Sequence, residues 1–273
     1  MANPKTTMAA VSQHYHDIAE RYPTSTPFVV MLYGSQNYEL DLPTSDVDTK
    51  TMLLPSFADF TLNQKWLSTE EVLDTGLSTV KDVRAMCQNF LKSNINFLEC
   101  LYTRYFMVHG NYTRYWDFLR THRDFVANAN PHKLMHAAAG MASQKYHALE
   151  KPFESKAEVL AQYGYDPKQL HHLCRLRLFI IEYLNTHDFG YCLTPPAAQK
   201  DYLLSLKTNP IPLEDARREA DFAMKSIDEL IANLPFLPNP PSSREAADFL
   251  DKFCLNIMRD HIINQLYQAG GAK

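Results

Sequence analysis

Two pairs of residues near the start of the chain have the types and spacing that metal-dependent phosphate chemistry needs. Asp46 and Asp48 stand two residues apart, and Gly34 and Ser35 precede them. Carboxylates are ligands that hard divalent cations prefer, and such cations bridge to phosphate oxygens. Glycine accepts the backbone geometry of a sharp turn, and Ser35 offers a hydroxyl to a phosphate. The four residues therefore indicate a site for phosphate and a divalent cation.

Two apolar segments are predicted to position these residues. Residues 28–32 form a short, partly β-branched run bounded by proline and glycine, which indicates a buried strand. Residues 49–54 predict a second strand. Because side chains two residues apart on a strand point the same way, we expect Asp46, Asp48 and Lys50 to share one face beside the end of the first strand.

The two motifs, in this order, resemble a known family. Gly-Ser-x-Asn-Tyr-x-Leu occupies residues 34–40 and Ser-Asp-x-Asp-x-Lys occupies residues 45–50. This pattern is similar to that of the stand-alone predicted nucleotidyltransferases of bacteria and their phages, in the DNA polymerase β superfamily. The resemblance implies an α+β fold with a polymerase-β-like nucleotidyltransferase core built on a small mixed sheet. It also implies an enzyme that transfers a nucleoside monophosphate from an NTP, such as ATP, to an acceptor hydroxyl and releases pyrophosphate.

The same resemblance implies roles for individual residues. Asp46 and Asp48 are expected to bind Mg²⁺ or Mn²⁺, while Gly34 and Ser35 are expected to hold the β- and γ-phosphates. Lys50 is expected to bind the nucleotide by neutralising charge that develops on its phosphates.

Glu99 is the candidate for a third carboxylate. It lies inside the apolar run 97–102, which predicts another strand, and a charge buried there is costly unless it is paired or binds a metal. Residues 94–101 resemble the family's Asn-Pro-Asn…Leu-Glu-Leu-Leu stretch, with Ile95 in place of the proline. The resemblance implies that Glu99 completes the metal site or acts as the base. The alternative is that it pairs with a basic residue or accepts a hydrogen bond from a neighbouring backbone group.

Two positions depart from the family pattern. Relatives often carry another acid just before the helix predicted at residues 80–92, where this chain has Leu77 and Ser78. This departure leaves the third metal ligand open, and Ser78 or Thr79 is expected to cap the helix instead. Glu39 stands where relatives often have glycine, which changes a turn but leaves the metal ligands intact.

A second informative stretch begins at residues 166–167, an Asp-Pro pair that predicts a helix start. Lys168, His172 and Arg175 follow at helical spacing and form one cationic stripe. Their order resembles the family's Tyr-Asp-x-Lys-(three residues)-His-(two residues)-Arg-Leu run, and the resemblance implies that they bind the nucleotide. The alternative is a solvated helix face. His171 matches no polar position of the pattern and is expected to be structural or exposed.

The chain is expected to divide near residue 105. Residues 1–105 are predicted to form the nucleotidyltransferase core, and residues 106–273 a mainly helical region that closes over the nucleotide site. Helices are predicted over residues 6–21, 80–92, 112–126 and 212–234, from Pro131 onward, and from Ser242 to about residue 268, with the proline-rich residues 235–241 as a stiff connector. His14 and His16, on the first of these helices, are expected at the surface.

Composition favours a soluble protein of the cell interior. The 273 residues are 45% hydrophobic, and the net charge of −4 provides no general attraction for nucleic acid. The five cysteines form no C-x-x-C pair and are expected to be reduced and buried. No apolar stretch approaches the length of a membrane span, and no signal-peptide pattern opens the sequence. We therefore expect a cytoplasmic protein with no membrane partner.

The sequence leaves the acceptor open. An RNA 3′ end, tRNA, a protein or a small molecule would each serve, and basic residues between 104 and 124 alternate with aromatic ones as in a track for single-stranded nucleic acid. Two other functions fit the motifs: a catalytically degenerate nucleotide-binding sensor or regulatory protein, and a toxin or defence nucleotidyltransferase that modifies tRNA or protein. An unrelated Asp-x-Asp glycosyltransferase would leave Ser35 and Lys168 unexplained.

Overall fold

A computed structural model describes residues 4–62, 64–234 and 240–270. The chain divides into two compact units. The first contains the described residues up to Asn37, Asp41–Ala129 and the final helix. The second contains Tyr38–Leu40 and the described residues between Asn130 and Pro238.

Five strands form one mixed sheet in the first unit. They are β1 (Thr26–Leu32), β2 (Thr49–Leu54), β3 (Ser68–Leu73), β4 (Gly76–Asp82) and β5 (Phe106–Val108). Their order across the sheet is β3-β4-β2-β1-β5, with β2 and β4 parallel and the other neighbours antiparallel. The two strands predicted at residues 28–32 and 49–54 are confirmed as β1 and β2. Both are buried along almost their whole length because they lie in the middle of the sheet.

Helices make up most of the rest of the described chain. In chain order they are α1 (Pro4–Arg21), α2 (Phe57–Thr61), α3 (Val83–Leu91), α4 (Ile95–Leu98), α5 (Thr113–Thr121), α6 (Arg123–Ala127), α7 (Pro131–His147), α8 (Ala157–Tyr163), α9 (Pro167–Thr186), α10 (Phe189–Leu193), α11 (Ala197–Thr208), α12 (Leu213–Ala232) and α13 (Pro241–Gly270). The α+β architecture is therefore confirmed. Within the described residues no helix has both the length and the apolar character that a membrane span requires.

The helix α1 covers one face of the sheet in two clusters of buried side chains. Around Val11 it packs against the ends of β1 and the chain before β2, and around Ile18 against β2, β3 and β4. Each fully buried aliphatic side chain of this kind contributes about 1.5–3 kcal/mol. The helix α3 also packs against the sheet, at β2 and β4. The helix α13 packs in turn against α3.

Several local predictions in the first unit are wrong. Residues 97–102 are not a strand: α4 and a 3₁₀ turn, Glu99–Leu101, occupy this run, with Asn94 capping α4 through its contact with the Asn96 N–H. A short apolar run that is buried on all sides can form either a strand or a helix, so the hydrophobic pattern does not distinguish the two. The helix expected from residue 80 begins later, because 80–82 belong to β4.

The cap of that helix also differs from the expectation. Asp82, rather than Ser78 or Thr79, accepts a hydrogen bond from the Arg84 N–H at 2.8 Å and caps α3. Further along, the helix predicted over residues 112–126 is broken at His122 into α5 and α6.

The second unit is built around α9. This helix packs against α7, α11 and α12, and its inward positions are buried. The predicted start of α9 is confirmed, since Asp166 accepts a hydrogen bond from the Lys168 N–H at 2.9 Å. Asn130 likewise caps α7 through the Lys133 N–H. Of the predicted connector, residues 235–239 lie outside the described chain, and α13, which follows it, belongs to the first unit.

Candidate functional site

A sharp turn follows β1 at Gly34. Its φ angle of +99° lies in the left-handed region, which favours glycine, and the space where a Cβ would stand is empty to 4 Å. The Gly34 N–H donates a hydrogen bond to Glu99 Oε1 at 3.0 Å. Ser35 then opens a short 3₁₀ turn, Ser35–Tyr38. The glycine thus leaves an open approach to the backbone beside a serine hydroxyl.

The segment that carries the two aspartates is hydrogen-bonded to the residues around this turn. Gln36 Nε2 donates a hydrogen bond to the Asp46 carbonyl at 2.8 Å, and the Tyr33 N–H donates to the Asp48 carbonyl at 3.1 Å. Asp48 Oδ1 accepts a hydrogen bond from the Leu77 N–H at 3.0 Å. The two motifs that sequence analysis singled out are therefore adjacent in the fold.

The aspartates lie before β2 and not on it, because the strand begins at Thr49. Asp46 is exposed, Asp48 is half-buried, and Val47 between them is buried against α1. The expected common strand face is therefore wrong: Lys50 lies on β2 and is buried, whereas Asp46 precedes the strand and is exposed.

Lys50 is enclosed by aromatic rings. Its Nζ lies 3.4 Å from the centre of the Tyr33 ring and 4.6 Å from that of Phe97. Burial lowers the pKa of this lysine, and the nearby Cys100 and Asp48 side chains oppose that shift. The two ring faces therefore add to the stabilisation of its charge.

Glu99 is completely buried and holds the Gly34 turn. This contact is one of the two alternatives that the sequence left open, the acceptance of a hydrogen bond from a neighbouring backbone group. Among the residues that the structure describes, no three His, Cys, Asp or Glu side chains form a group that could hold a metal ion.

Asp46 and Asp48 nonetheless have the donor chemistry that Mg²⁺ or Mn²⁺ requires. Mg²⁺ is usually bound through one or two protein carboxylates together with substrate phosphates, and it keeps several waters. Two carboxylates beside an open glycine turn fit that arrangement. A third protein ligand is not needed for such a site.

Two residues that sequence analysis passed over support the aspartate segment. A Cβ at Gly76 would lie 2.4 Å from the Val47 carbonyl oxygen, so only glycine fits there. His14 was expected at the surface but is buried, with Nδ1 2.8 Å from Thr49 Oγ1 and Nε2 2.8 Å from Thr75 Oγ1. These contacts join residues that are far apart in sequence, so no local sequence pattern could predict them.

In the second unit, the predicted cationic stripe is one side of a larger cluster. Lys168 is exposed, and Arg175 is buried with its guanidinium 4.0 Å from the centre of the Tyr38 ring. Lys145 on α7 joins them: burial lowers its pKa, and Lys168 and Arg175 lower it further by repulsion. Burial also holds the pKa of His172 well below its usual range, helped by His171, Arg175 and Lys145. We call Lys145, Lys168 and Arg175 the cation cluster; His172 lies beside them as a neutral ring.

His171 is structural, as expected. Its Nδ1 lies 2.8 Å from the Leu203 carbonyl oxygen, and burial lowers its pKa to about 3. Lys145 was not predicted, because a basic residue in the last turn of a helix is common and carries no signal by itself.

The segment Tyr38–Leu40 is bound within the second unit by three basic side chains. Besides the Arg175 contact, Lys200 forms an ion pair with the Glu39 carboxylate, and Lys207 Nζ donates a hydrogen bond to the Leu40 carbonyl. Glu39 has a φ angle of +57°. This left-handed conformation is one that glycine adopts at no steric cost, and here the ion pair with Lys200 accompanies it.

Comparison with known proteins gives little further guidance. No protein-family model matches the chain, and no curated protein matches it. A crystal structure of a nucleotidyltransferase-like protein from Exiguobacterium sibiricum is similar, with 14% sequence identity and a TM-score of 0.29 over 93% of this chain and 80% of that one. A TM-score this low does not establish a shared fold.

Proposed function

We propose that this protein transfers a nucleoside monophosphate from an NTP to an acceptor hydroxyl and releases pyrophosphate. The observation that supports this function is the attachment of the Gly34 turn to the aspartate segment through Gln36 and the Tyr33 N–H. It brings an open, serine-bearing turn next to two carboxylates. Phosphate recognition and cation binding need these two elements side by side.

The residues of the first unit would each make a distinct contribution. Asp46 and Asp48 would hold Mg²⁺ or Mn²⁺, which supplies charge neutralisation at the phosphates and a lower pKa for the attacking hydroxyl. Gly34 leaves room for a phosphate oxygen, and Ser35 can donate a hydrogen bond to it. Glu99 fixes the Gly34 turn and so acts as a positioning residue.

The chemical step follows from the substrates. The acceptor oxygen forms a bond to the α-phosphorus while the bond from that phosphorus to the bridging oxygen breaks. Pyrophosphate leaves with its electron pair, and water takes up the proton of the acceptor hydroxyl. The enzyme contributes mainly by position and by electrostatic stabilisation of the charged oxygens.

The cation cluster is a candidate phosphate-binding surface of the second unit. Lys145, Lys168 and Arg175 repel one another, so an anion that neutralises them is bound favourably. Arg175 offers a planar donor group and Lys168 an exposed point charge, both suited to phosphate oxygens.

A second candidate function is nucleotide binding without transfer, as in a sensor. Glu99 supports it, because this carboxylate, the candidate third ligand, accepts a hydrogen bond from the Gly34 N–H. A toxin or defence role would use the same site as the transferase, and no observed contact separates these two.

The deciding experiment follows label from each of four α-³²P-labelled NTPs, with Mg²⁺ or Mn²⁺, into pooled tRNA and cell extract. We expect label on one macromolecular band with the native protein and none with the double variant Asp46→Ala/Asp48→Ala. The Asp228→Ala variant, at an exposed position of α12, is the control and should retain transfer.

Each outcome points to one conclusion. Transfer that survives the double variant would contradict the assigned site. Nucleotide binding without transfer to any acceptor would favour the sensor. A protein that neither binds nor transfers any NTP would exclude both functions.

A further inference from the structure

Two histidines of α7 lie together on the helix surface, apart from every residue used above. His132 and His136 are one turn apart, their ring centres are 4.4 Å apart, and their Nε2 atoms are 3.2 Å apart. His136 is exposed and His132 half-buried. Two ring nitrogens this close together can both bind one metal ion.

The separation of the two nitrogens matches a metal geometry. Zinc binds histidine nitrogen at about 2.0–2.1 Å in a tetrahedral arrangement, which places two ligand nitrogens about 3.3 Å apart. The observed separation of 3.2 Å is close to that spacing. In the absence of a metal, a proton on one Nε2 must lie between the two nitrogens, since two lone pairs would repel.

We propose that His132 and His136 form a surface site for a divalent transition metal such as zinc, nickel or copper. Imidazole suits these ions, whereas Mg²⁺ and Ca²⁺ prefer oxygen. No group of three His, Cys, Asp or Glu side chains forms within the described chain, so the proposed site uses two protein ligands. This site is independent of the proposed transfer reaction, which uses oxygen ligands in the first unit.

Zinc titration of the untagged protein by calorimetry tests the proposal. We expect saturable binding at pH 7.5 that falls at least ~10-fold in His136→Gln and in His132→Gln, because each variant loses one of two ligands. His147→Gln, an exposed histidine on the same helix, should bind as the native protein does. Binding should also be lost at pH 5, since metal and protons compete for imidazole nitrogen.

The controls make a negative result informative. Circular dichroism must show that each variant keeps its helical content. Equal zinc affinity in the native protein and the His136→Gln variant would overturn the proposal, as would the absence of binding up to millimolar zinc. A loss of binding in His147→Gln that equals the loss in His136→Gln would also overturn it.

Discussion

At the residue scale, the role of Glu99 in transfer can be tested directly. Its carboxylate accepts the Gly34 N–H and is completely buried. Glu99→Gln keeps an oxygen that can accept this hydrogen bond but removes the negative charge. If Glu99 only positions the turn, we expect the variant to retain NMP transfer within ~10-fold, because the structure that it supports persists. A loss of 10³-fold or more would show that the charge itself is needed, as a metal ligand or a base.

Glu99→Ala provides the second arm of this test. It leaves the buried Gly34 N–H without its acceptor, which costs about 1–3 kcal/mol. We expect a lower unfolding free energy in urea for Glu99→Ala than for Glu99→Gln, together with weaker NTP binding. Equal stability of the two variants would contradict the positioning role.

The residue scale also shows what a sequence can and cannot predict. The closeness of the Gly34–Ser35 and Asp46–Asp48 motifs was predictable, because each pair is a local motif beside a predicted strand, and hydrogen bonds join the two segments in the structure. Whether a carboxylate such as Glu99 serves a metal or a turn depends on a partner 65 residues away in the chain. Composition and spacing contain no record of that contact.

At the scale of elements, the aspartate segment depends on close packing by the start of β4. We predict that Gly76→Ala destabilises the first unit and reduces transfer, because the new methyl group would lie 2.4 Å from the Val47 carbonyl oxygen and 3.1 Å from Asp48 Oδ1. The contact is with backbone, so relief requires movement of the segment itself.

Gly140→Ala is the matched control for this change. Gly140 lies inside α7, and the space for a Cβ is open to 4 Å. Alanine in a helix interior is favoured over glycine by about 1 kcal/mol, so the unfolding free energy of the second unit should rise. If Gly76→Ala behaved like Gly140→Ala in urea unfolding and in transfer assays, the close packing would be refuted.

The cation cluster also depends on the packing of two elements, because Lys145 lies on α7 while Lys168 and Arg175 lie on α9. We predict that Lys145→Gln weakens the binding of tripolyphosphate, and of ATP, by ~10-fold or more, since a charge-assisted contact to phosphate is lost. The stability of the free protein should not fall, because the lysine repels Lys168 and Arg175. Fluorescence or calorimetric titration at low and high salt measures the effect.

A charge-matched control separates this effect from a general loss of positive charge. Lys225, exposed on α12, carries the same charge outside the cluster, and Lys225→Gln should bind tripolyphosphate as the native protein does. Equal weakening in both variants would mean that only net charge matters. The repulsion between Lys145 and the pair Lys168 and Arg175 was not predictable from sequence. The spacing of Lys168, His172 and Arg175 defines one face of α9 and does not show that α7 packs beside it.

At the scale of the whole molecule, buried neutral histidines make stability depend on pH. Burial lowers the pKa of His171 to about 3 in the second unit and of His261 to about 4 in the first. An unfolded histidine has a pKa of about 6.5, so below that value the unfolded chain takes up a proton that the folded chain excludes. We therefore expect each histidine to reduce the unfolding free energy by about 2 kcal/mol between pH 7.5 and pH 5.

This dependence begins at a higher pH than the effect of the carboxylates. The contact with the Tyr115 hydroxyl lowers the pKa of Asp260. The stability that such an acid contributes to the folded protein is lost only as the pH falls below about 4. A decline in stability that is already under way at pH 6 is therefore caused by histidine. Urea unfolding at several pH values from 7.5 to 5 measures its slope.

Substitution of His261 assigns part of that slope to one side chain. His261 ring nitrogens lie 2.9 Å from the Tyr112 hydroxyl and 3.1 Å from the Pro55 carbonyl oxygen, contacts that glutamine can partly replace. In His261→Gln the unfolding free energy of the first unit should be lower at pH 7.5 but should fall about 2 kcal/mol less on acidification. An unaltered slope in His261→Gln would show that the folded protein admits the proton at this position, and the buried Tyr112–His261–Pro55 contact would then have to open below pH 6.5.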